Sequence, residues 1–506
     1  MQLYTNKLLL IITLSPHLLF AHEKFNDGIH YPKTKSELQS LIAHGMANQL
    51  PIRVVGAAHS TGGAIFGEEN HDEIRINLDG DFRKVVSITP DKSNDFAMVT
   101  VGAGCNLGVN PEDPRSTLEN SFNFQVNQAG FALPTLGGIS HQTIAGFLQT
   151  SSSGGCVQHG IADVLEAIEW IDGNGIFHNA SKGDNEFNAA VVSMGLFGVV
   201  TEVTFKLPRA YLVEGQETNH ELNDSYLAKD MNNCHTKLYN ALFIDNEYIH
   251  INWLPQKYVD RTMQWIGKSV PYDTTLPLTP YEHALKSRFK TALAVMVFGI
   301  GNFIDRHASC CDVLLRLKAE LYKPFANPKS KQEFRDTWYK ALPIDNQARV
   351  DGAIKTHFSE LWFPEDQMET VMQALEDLFL QNPKAAGNFI VELYAAKQSP
   401  LWLSPAYGHN AFRVDLYWWH GNKGDLNQYF GIFWEKLLDI PGARLHWGKY
   451  LPMPGQKYGD KILDSDVIYR NYPMFNEWLK LRERMDPKQL FVTDYWRKVL
   501  NIPSLN

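Results

Sequence analysis

The stretch Pro51–Gly67 reads PIRVVGAAHSTGGAIFG. An apolar, β-branched run passes directly into a loop of small residues, with His59 and Ser60 at its centre. Small residues let successive backbone N–H groups approach and point at one anion, typically a phosphate. The loop is not a P-loop, since no G-K-[ST] follows, and it lacks the spacing G-x-G-x-x-G. Alone it admits two readings: a phosphate cradle, or a loop with a structural histidine.

A second segment of the same texture lies downstream, Phe131–Gly155 (FALPTLGGISHQTIAGFLQTSSSGG), and Met194–Val200 (MGLFGVV) follows it. Around these loops, short β-branched runs bounded by Gly, Asp or Asn predict strands at Ile52–Val55, Ala97–Val101, Ala167–Ile171 and Val199–Leu207. Asp172-Gly173-Asn174-Gly175 predicts a hairpin turn. Leu38, Leu41, Ile42 and Met46 recur at helical spacing over Ser36–Ala47, with Ser36 as candidate cap.

The three segments, in order and spacing, resemble the PCMH-type FAD-binding domain of the vanillyl-alcohol oxidase superfamily over residues 28–210. The family pattern R-x-x-G-x-G-H-S stands here as Arg53, Gly56, Ala57, Ala58, His59 and Ser60, with Ala58 replacing a glycine. The resemblance implies FAD as cofactor, cradled by these residues and by Gly137, Gly138, His141, Gly146, Ser151, Ser152, Ser153, Gly154, Gly198 and Val199. It also implies a covalent bond from His59 to the flavin. A second tether is not expected, because Leu133 stands where the berberine-bridge subgroup has Cys. Thr150-Ser151-Ser152-Ser153-Gly154 replaces the T-G-T-H-G of sugar oxidases.

After about Pro208 the chain becomes richer in Trp and Tyr. Strands are predicted at Ile249–Trp253 and Phe412–Trp419, and helices over Met368–Leu380 and Phe475–Leu500. Arg444-Leu445-His446-Trp447-Gly448-Lys449 and Trp402-Leu403-Ser404-Pro405-Ala406-Tyr407 resemble the aldonolactone oxidase and alditol oxidase group. That group implies Lys449, Glu392 and His446 as catalytic residues, with Tyr394, Asp415 and Tyr417 at the substrate. Two positions depart from the group: Tyr394 stands for an Arg, and Asp415 for a His. Losing the Arg removes a fixed positive fork, and a carboxylate at Asp415 accepts hydrogen bonds without donating any. Both changes point to a neutral, hydroxylated substrate. His446 enters as a flavin contact or proton relay with an ordinary pKa near ~6.5.

The expected architecture is α+β. A signal peptide (1–21) is expected to precede a two-part FAD-binding domain (28–210). An α+β substrate or cap domain with a large antiparallel sheet (211–450) follows, and a C-terminal segment (451–506) returns to the FAD domain. The expected reaction moves a hydride from a CH–OH group of a sugar, sugar lactone or polyol to flavin N5. O2 is then reduced to H2O2, with Gly137-Gly138 leaving the flavin face open. Alternatives are a dehydrogenase passing electrons to a quinone or protein, an oxidase of a non-sugar alcohol or amine, and a binding protein that keeps FAD as a structural core.

Composition agrees with a folded enzyme. The 506 residues are 44% hydrophobic, enough for a real core. A net charge of −9 argues against a nucleic-acid partner, which needs a basic patch. No repeat of roughly 20–50 residues is visible, which sets aside solenoids and propellers. Lys7, the apolar run Leu8–Leu14 and Ala21 fit a secretory leader, implying a secreted or periplasmic protein. Cys105, Cys156, Cys234, Cys310 and Cys311 lack metal-ligand spacing and are expected as isolated thiols; no metal site is expected. Ala292–Ile304 is uncharged but too short to span a bilayer. A buried helix is expected there, with peripheral membrane or partner contact as the alternative.

Overall fold

In a computed structural model the described residues are 28–66, 73–273, 275–282, 288–307, 311–344 and 354–505. The leader expected at 1–21 and Cys310 lie outside them.

Among the described residues there are four sheets, one of them a two-stranded ribbon (Lys457–Tyr458 with Lys461–Ile462), and the other three organise the molecule. The first is small and parallel, from β1 (Ile29–His30), β2 (Ile52–Val54) and β3 (Ile74–Ile76), in the order β1-β3-β2. The second is antiparallel, from β4 (Val85–Pro90), β5 (Phe96–Gly102), β6 (Leu165–Ile171), β7 (Phe177–Ser181) and β8 (Val199–Pro208), in the order β4-β5-β8-β6-β7. The expected hairpin joins β6 to β7. Asp172 stabilises its turn by accepting the N–H groups of Asn174 and Ile176.

The third sheet is large and antiparallel. It comprises β9 (Tyr211–Glu221), β10 (Tyr248–Leu254), β11 (Arg261–Pro271), β12 (Lys331–Thr337), β13 (Thr356–Pro364), β14 (Val391–Ala396), β15 (Ala411–Trp419) and β16 (Arg444–Leu445). Their order is β12-β9-β11-β10-β14-β15-β13-β16. The helix Met368–Gln381 buries Met368, Val371, Met372 and Leu375. Burying each such side chain contributes about 1.5–3 kcal/mol.

The helix predicted at Ser36–Ala47 spans Lys35–Asn48, but Thr34 is its cap: Thr34 Oγ1 accepts the Glu37 N–H at 3.3 Å. The segment Phe475–Leu500 is two helices, Phe475–Met485 and Asp494–Leu500. The break falls at Asp486, because Pro487 disfavours a helical residue before it. The Asp486 carboxylate accepts the N–H groups of Leu490 and Phe491. Past the break the chain lies against the small sheet, where Ile52 N donates to Leu490 O at 2.7 Å.

The stretch Ala292–Ile304 lies in the helix Arg288–His307. It is not wholly buried: Ala294, Val297 and Phe298 face inward, while Leu293, Met296 and Phe303 are exposed. With the helix Asp312–Tyr322 it roofs a second, smaller apolar core that includes Leu254 and Trp419. Among the described residues no helix is long and apolar enough to cross a membrane. Cys105, Cys156, Cys234 and Cys311 are free thiols.

Candidate active site

Two connected cavities form the site. The first is a narrow channel of about 140 Å³. Its walls are mostly small residues: Gly56, Ala57, Ala58, His59 and Ser60 from the loop after β2, with Arg53 from β2 itself, Thr143 and Gly146 from the second glycine-rich segment, and Met194, Gly195 and Gly198 from the third. A Cβ on Gly56 would lie 2.7 Å from Thr143 Oγ1, so glycine is what lets the two loops meet. Ala58 sits in the left-handed region at φ +53°.

Arg53 holds the channel wall in place. Its guanidinium donates to the carbonyls of Ala64, Ile65 and Phe491 at 2.7, 3.1 and 3.0 Å. Its donors are thus used on the protein, a positioning role. Three expected cofactor residues do not line either cavity. Val199 is buried in β8 and its neighbour Val200 takes the wall. Ser151 turns away to donate to Ser404 Oγ at 2.9 Å. His141 stands behind His59, with Nε2 3.2 Å from His59 Nδ1.

The second cavity, about 340 Å³, joins the channel at His59 and Gln142, which line both. Gly137, Gly138, Ser152, Ser153 and Gly154 form one side and the large sheet forms the floor. The loop meets the sheet closely: a Cβ on Gly155 would lie 2.0 Å from Ile249 O.

The floor is set by strand register, since alternate residues share a face. Trp362, Arg413 and Tyr394 are directly paired across β13, β15 and β14. Two residues along, Glu360, Asp415, Glu392 and Asn252 form the next row. Further on, Phe358 is opposite Tyr417. Lys449 comes from the turn after β16, with Nζ 3.8 Å from the Phe358 ring centre. Among the described residues Nζ makes no hydrogen bond, leaving its N–H groups available to a ligand.

The charges follow from this packing. Burial would raise the Glu360 pKa, but Arg413, His446 and Lys449 outweigh it and hold Glu360 ionised. Arg413 Nη2 donates to Glu360 at 2.7 Å and Trp362 Nε1 donates to the same oxygen at 2.8 Å. Glu392 is pushed up by burial. Its carboxylate accepts the Tyr417 hydroxyl at 2.6 Å and the Tyr394 hydroxyl.

Three expectations need correction. Losing Arg at position 394 does not remove the positive fork. Arg413, across the register from Tyr394, supplies a guanidinium stacked between Trp362 and Tyr394 at 4.4 and 4.7 Å. Asp415 is not an acceptor-only carboxylate. Burial, then the negative charges of Glu360 and Glu392, raise its pKa well above the ordinary value. The shift favours its protonated form, which can donate a hydrogen bond, over the carboxylate. His446 is not near its ordinary pKa: burial chiefly, and Lys449 in addition, push it down to about 4. Its Nδ1 accepts the Gly448 N–H at 3.1 Å, which leaves the proton on Nε2. His59 is likewise held well below its usual range, by burial and then by Lys449.

All six expected catalytic and substrate residues, Lys449, Glu392, His446, Tyr394, Asp415 and Tyr417, line this second cavity. Sequence reasoning missed Arg413, Glu360, His250 and Asn252, which line it too. The alternation in Phe358, Glu360 and Trp362 was a signal for Glu360; nothing local marked Arg413. Among the described residues no cluster of His, Cys, Asp and Glu could hold a metal ion.

A channel of closely approaching backbone, opening past a histidine into a polar chamber floored by a large sheet, suits an elongated dinucleotide with its reactive ring in the chamber. The fold and site define an FAD-dependent oxidoreductase of the vanillyl-alcohol oxidase type. More particularly, residues 219–499, over half of the chain, match the family model for D-arabinono-1,4-lactone oxidase, and the chain belongs to that family. It is 22% identical to L-gulonolactone oxidase of Scyliorhinus torazame, over 92% of this chain and 93% of that protein. It is 22% identical to L-gulono-1,4-lactone dehydrogenase of Mycobacterium tuberculosis, over 93% and 95%. Cholesterol oxidase from B. sterolicum has the same fold, with a TM-score of 0.66 at 12% identity, over 93% of this chain and 94% of that one.

Proposed function

We propose that this protein oxidises a CH–OH group on a sugar lactone or polyol head, with O2 as acceptor and H2O2 as product. The reading is carried by one observation: Lys449, Glu392, Asp415 and His446 converge in the chamber that opens onto the channel at His59. FAD supplies the two-electron acceptor when bound. Lys449 Nζ binds the reacting oxygen and stabilises negative charge on it. Asp415, in its protonated form, donates to a second substrate oxygen. Glu392 accepts hydrogen bonds from the hydroxyls of Tyr394 and Tyr417 and so leaves their oxygens as acceptors for substrate hydroxyls. The Arg413–Glu360 pair fixes the row in which Asp415 lies.

The test is anaerobic mixing with L-gulono-1,4-lactone, D-arabinono-1,4-lactone and a polyol panel, followed by flavin bleaching. Bleaching by a lactone or polyol is expected; bleaching by amines or phenols alone would overturn the reading.

O2 as acceptor rests on Gly137, which lines the chamber and leaves a methyl-sized space there: an added Cβ would fit in ordinary contact, 3.8 Å from a Phe147 ring carbon. Stoichiometric H2O2 is the expected result. A quinone or protein acceptor is the second reading, favoured by the dehydrogenase among the relatives. Covalent attachment through His59 is supported by its position at the junction of the cavities and by its neutral ring, free to act as a nucleophile. Acid denaturation should leave the yellow colour on the chain. Export to the periplasm or outside the cell rests on Leu8–Leu14 and Ala21, and N-terminal sequencing of the mature protein decides it.

A further inference from the structure

The chamber does not end at its polar row. Along β15 the residues facing it run Arg413, Asp415, Tyr417, and β10 runs His250, Asn252, Leu254 in the same sense. The row that bears the carboxylates thus gives way to an apolar annex. Its roof is the inner face of the helix Arg288–His307, where Ala294 and Phe298 line the cavity. Phe298 is the hub: its ring lies 5.9 Å from Tyr322, 6.1 Å from Phe325 and 5.4 Å from Phe389. Behind it, outside the cavity wall, Trp419 packs against the Phe298 ring at 5.9 Å.

A free sugar lactone carries hydroxyls around its whole rim. Its polar edge is served by Lys449, Asp415 and Glu392. Around Phe298 the lining is mainly Leu254, Ala294, Phe325 and Phe389, and the polar groups there, Tyr322 and Asn388, are bonded to each other. Hydroxyls pushed that way would lose more water contacts than they replace, which is unfavourable. An alkyl or aryl group there gains from leaving water. We propose that the substrate is amphiphilic: a hydroxylated or lactone head at Lys449 with an apolar alkyl or aryl tail in the annex beneath Phe298. This rests on the proposed oxidation of a CH–OH head and narrows its substrate class.

The test compares one head with and without a tail on the flavin-loaded full-length protein. L-Gulono-1,4-lactone is set against its octanoyl ester at the primary hydroxyl, and short 1,2-diols against 1,2-octanediol. Affinity is read by tryptophan fluorescence or calorimetry, and oxidation separately by anaerobic bleaching. Each buried methylene should tighten binding about three- to fourfold, so the tailed members should bind at least tenfold better. Ala294→Trp, which fills the annex, should abolish that gain, and a Tm within a few degrees of wild type shows that it folds. Equal or weaker binding of the tailed members overturns the inference, whether or not the flavin bleaches. Tighter tailed binding with no bleaching by any compound keeps the amphiphilic site and overturns the oxidation reading instead.

Discussion

The channel and the chamber are built by opposite means. The channel is made largely from short runs of sequence: Arg53 to Ser60 line it in unbroken order, and the second and third loops add runs of their own. The chamber is made from side chains on alternate positions of strands that lie far apart in sequence, from His250 to Lys449. The first recognises the repeating part of a ligand with generic dipoles. The second tunes individual charges, since it places Glu360, Asp415 and Glu392 within one row, where burial and the neighbouring charges, Arg413 foremost among the cations, shift Glu360 down and Asp415 up. The difference predicts that chamber substitutions change chemistry and titration, and channel substitutions change retention of the cofactor.

The largest effect should come from Lys449→Met. Substrate-driven flavin reduction is expected to fall about 10²–10³-fold, with flavin content unchanged in the absorption spectrum. Lost flavin in that variant would erase the distinction between the two regions. His59→Ala sharpens the comparison from the other side: acid precipitation should release the colour that wild type keeps.

Arg413→Met should cost about 3–5 kcal/mol, because it leaves Glu360 buried without its partner. A drop in Tm of several degrees checks it. Arg413 also donates to Ser153 O at 2.9 Å, so the variant should loosen the loop beside Gly137 as well.

The Asp415 proton has a thermodynamic signature. Its folded pKa lies above the unfolded value of 3.8. Between those two values the native state holds a proton the unfolded chain has lost, so this group's contribution falls as pH rises through that window. Asp415→Asn should remove a slope of up to about 1.4 kcal/mol per pH unit. Denaturant titrations of both proteins from pH 4 upward measure the difference. The smallest effect is expected in the channel. Ala58→Gly relieves a left-handed alanine and should stabilise the protein by about 1 kcal/mol or less.

The same contrast explains what could be read from the chain. The channel was legible because its residues are neighbours in sequence, so a motif carries the geometry. Even there the side chains misled: Arg53 serves carbonyls, and Ser151 bonds Ser404. In the chamber Lys449 and Glu392 were legible by resemblance, whereas Arg413 was not. Its importance comes from lying across the register from Tyr394, and register is a property of two strands. The charge states were invisible for the same reason, since burial and neighbouring charge come from tertiary packing. Local expectations held where one segment decides, as in the hairpin at Asp172. They failed where two compete, as with Ser36 against Thr34 for the same cap.

The channel wall also dictates an order of assembly. Arg53 is fastened to Phe491, 438 residues later in the chain, and Trp496 lines the same channel. A ribosome that has made the whole glycine-rich half has therefore not yet made a place for the cofactor. Until residue 496 emerges, that half waits with an open flank of buried-type surface, the kind of long-range closure that is slow and aggregation-exposed. The channel is therefore complete only once Phe491 and Trp496 have been made and docked against the first half.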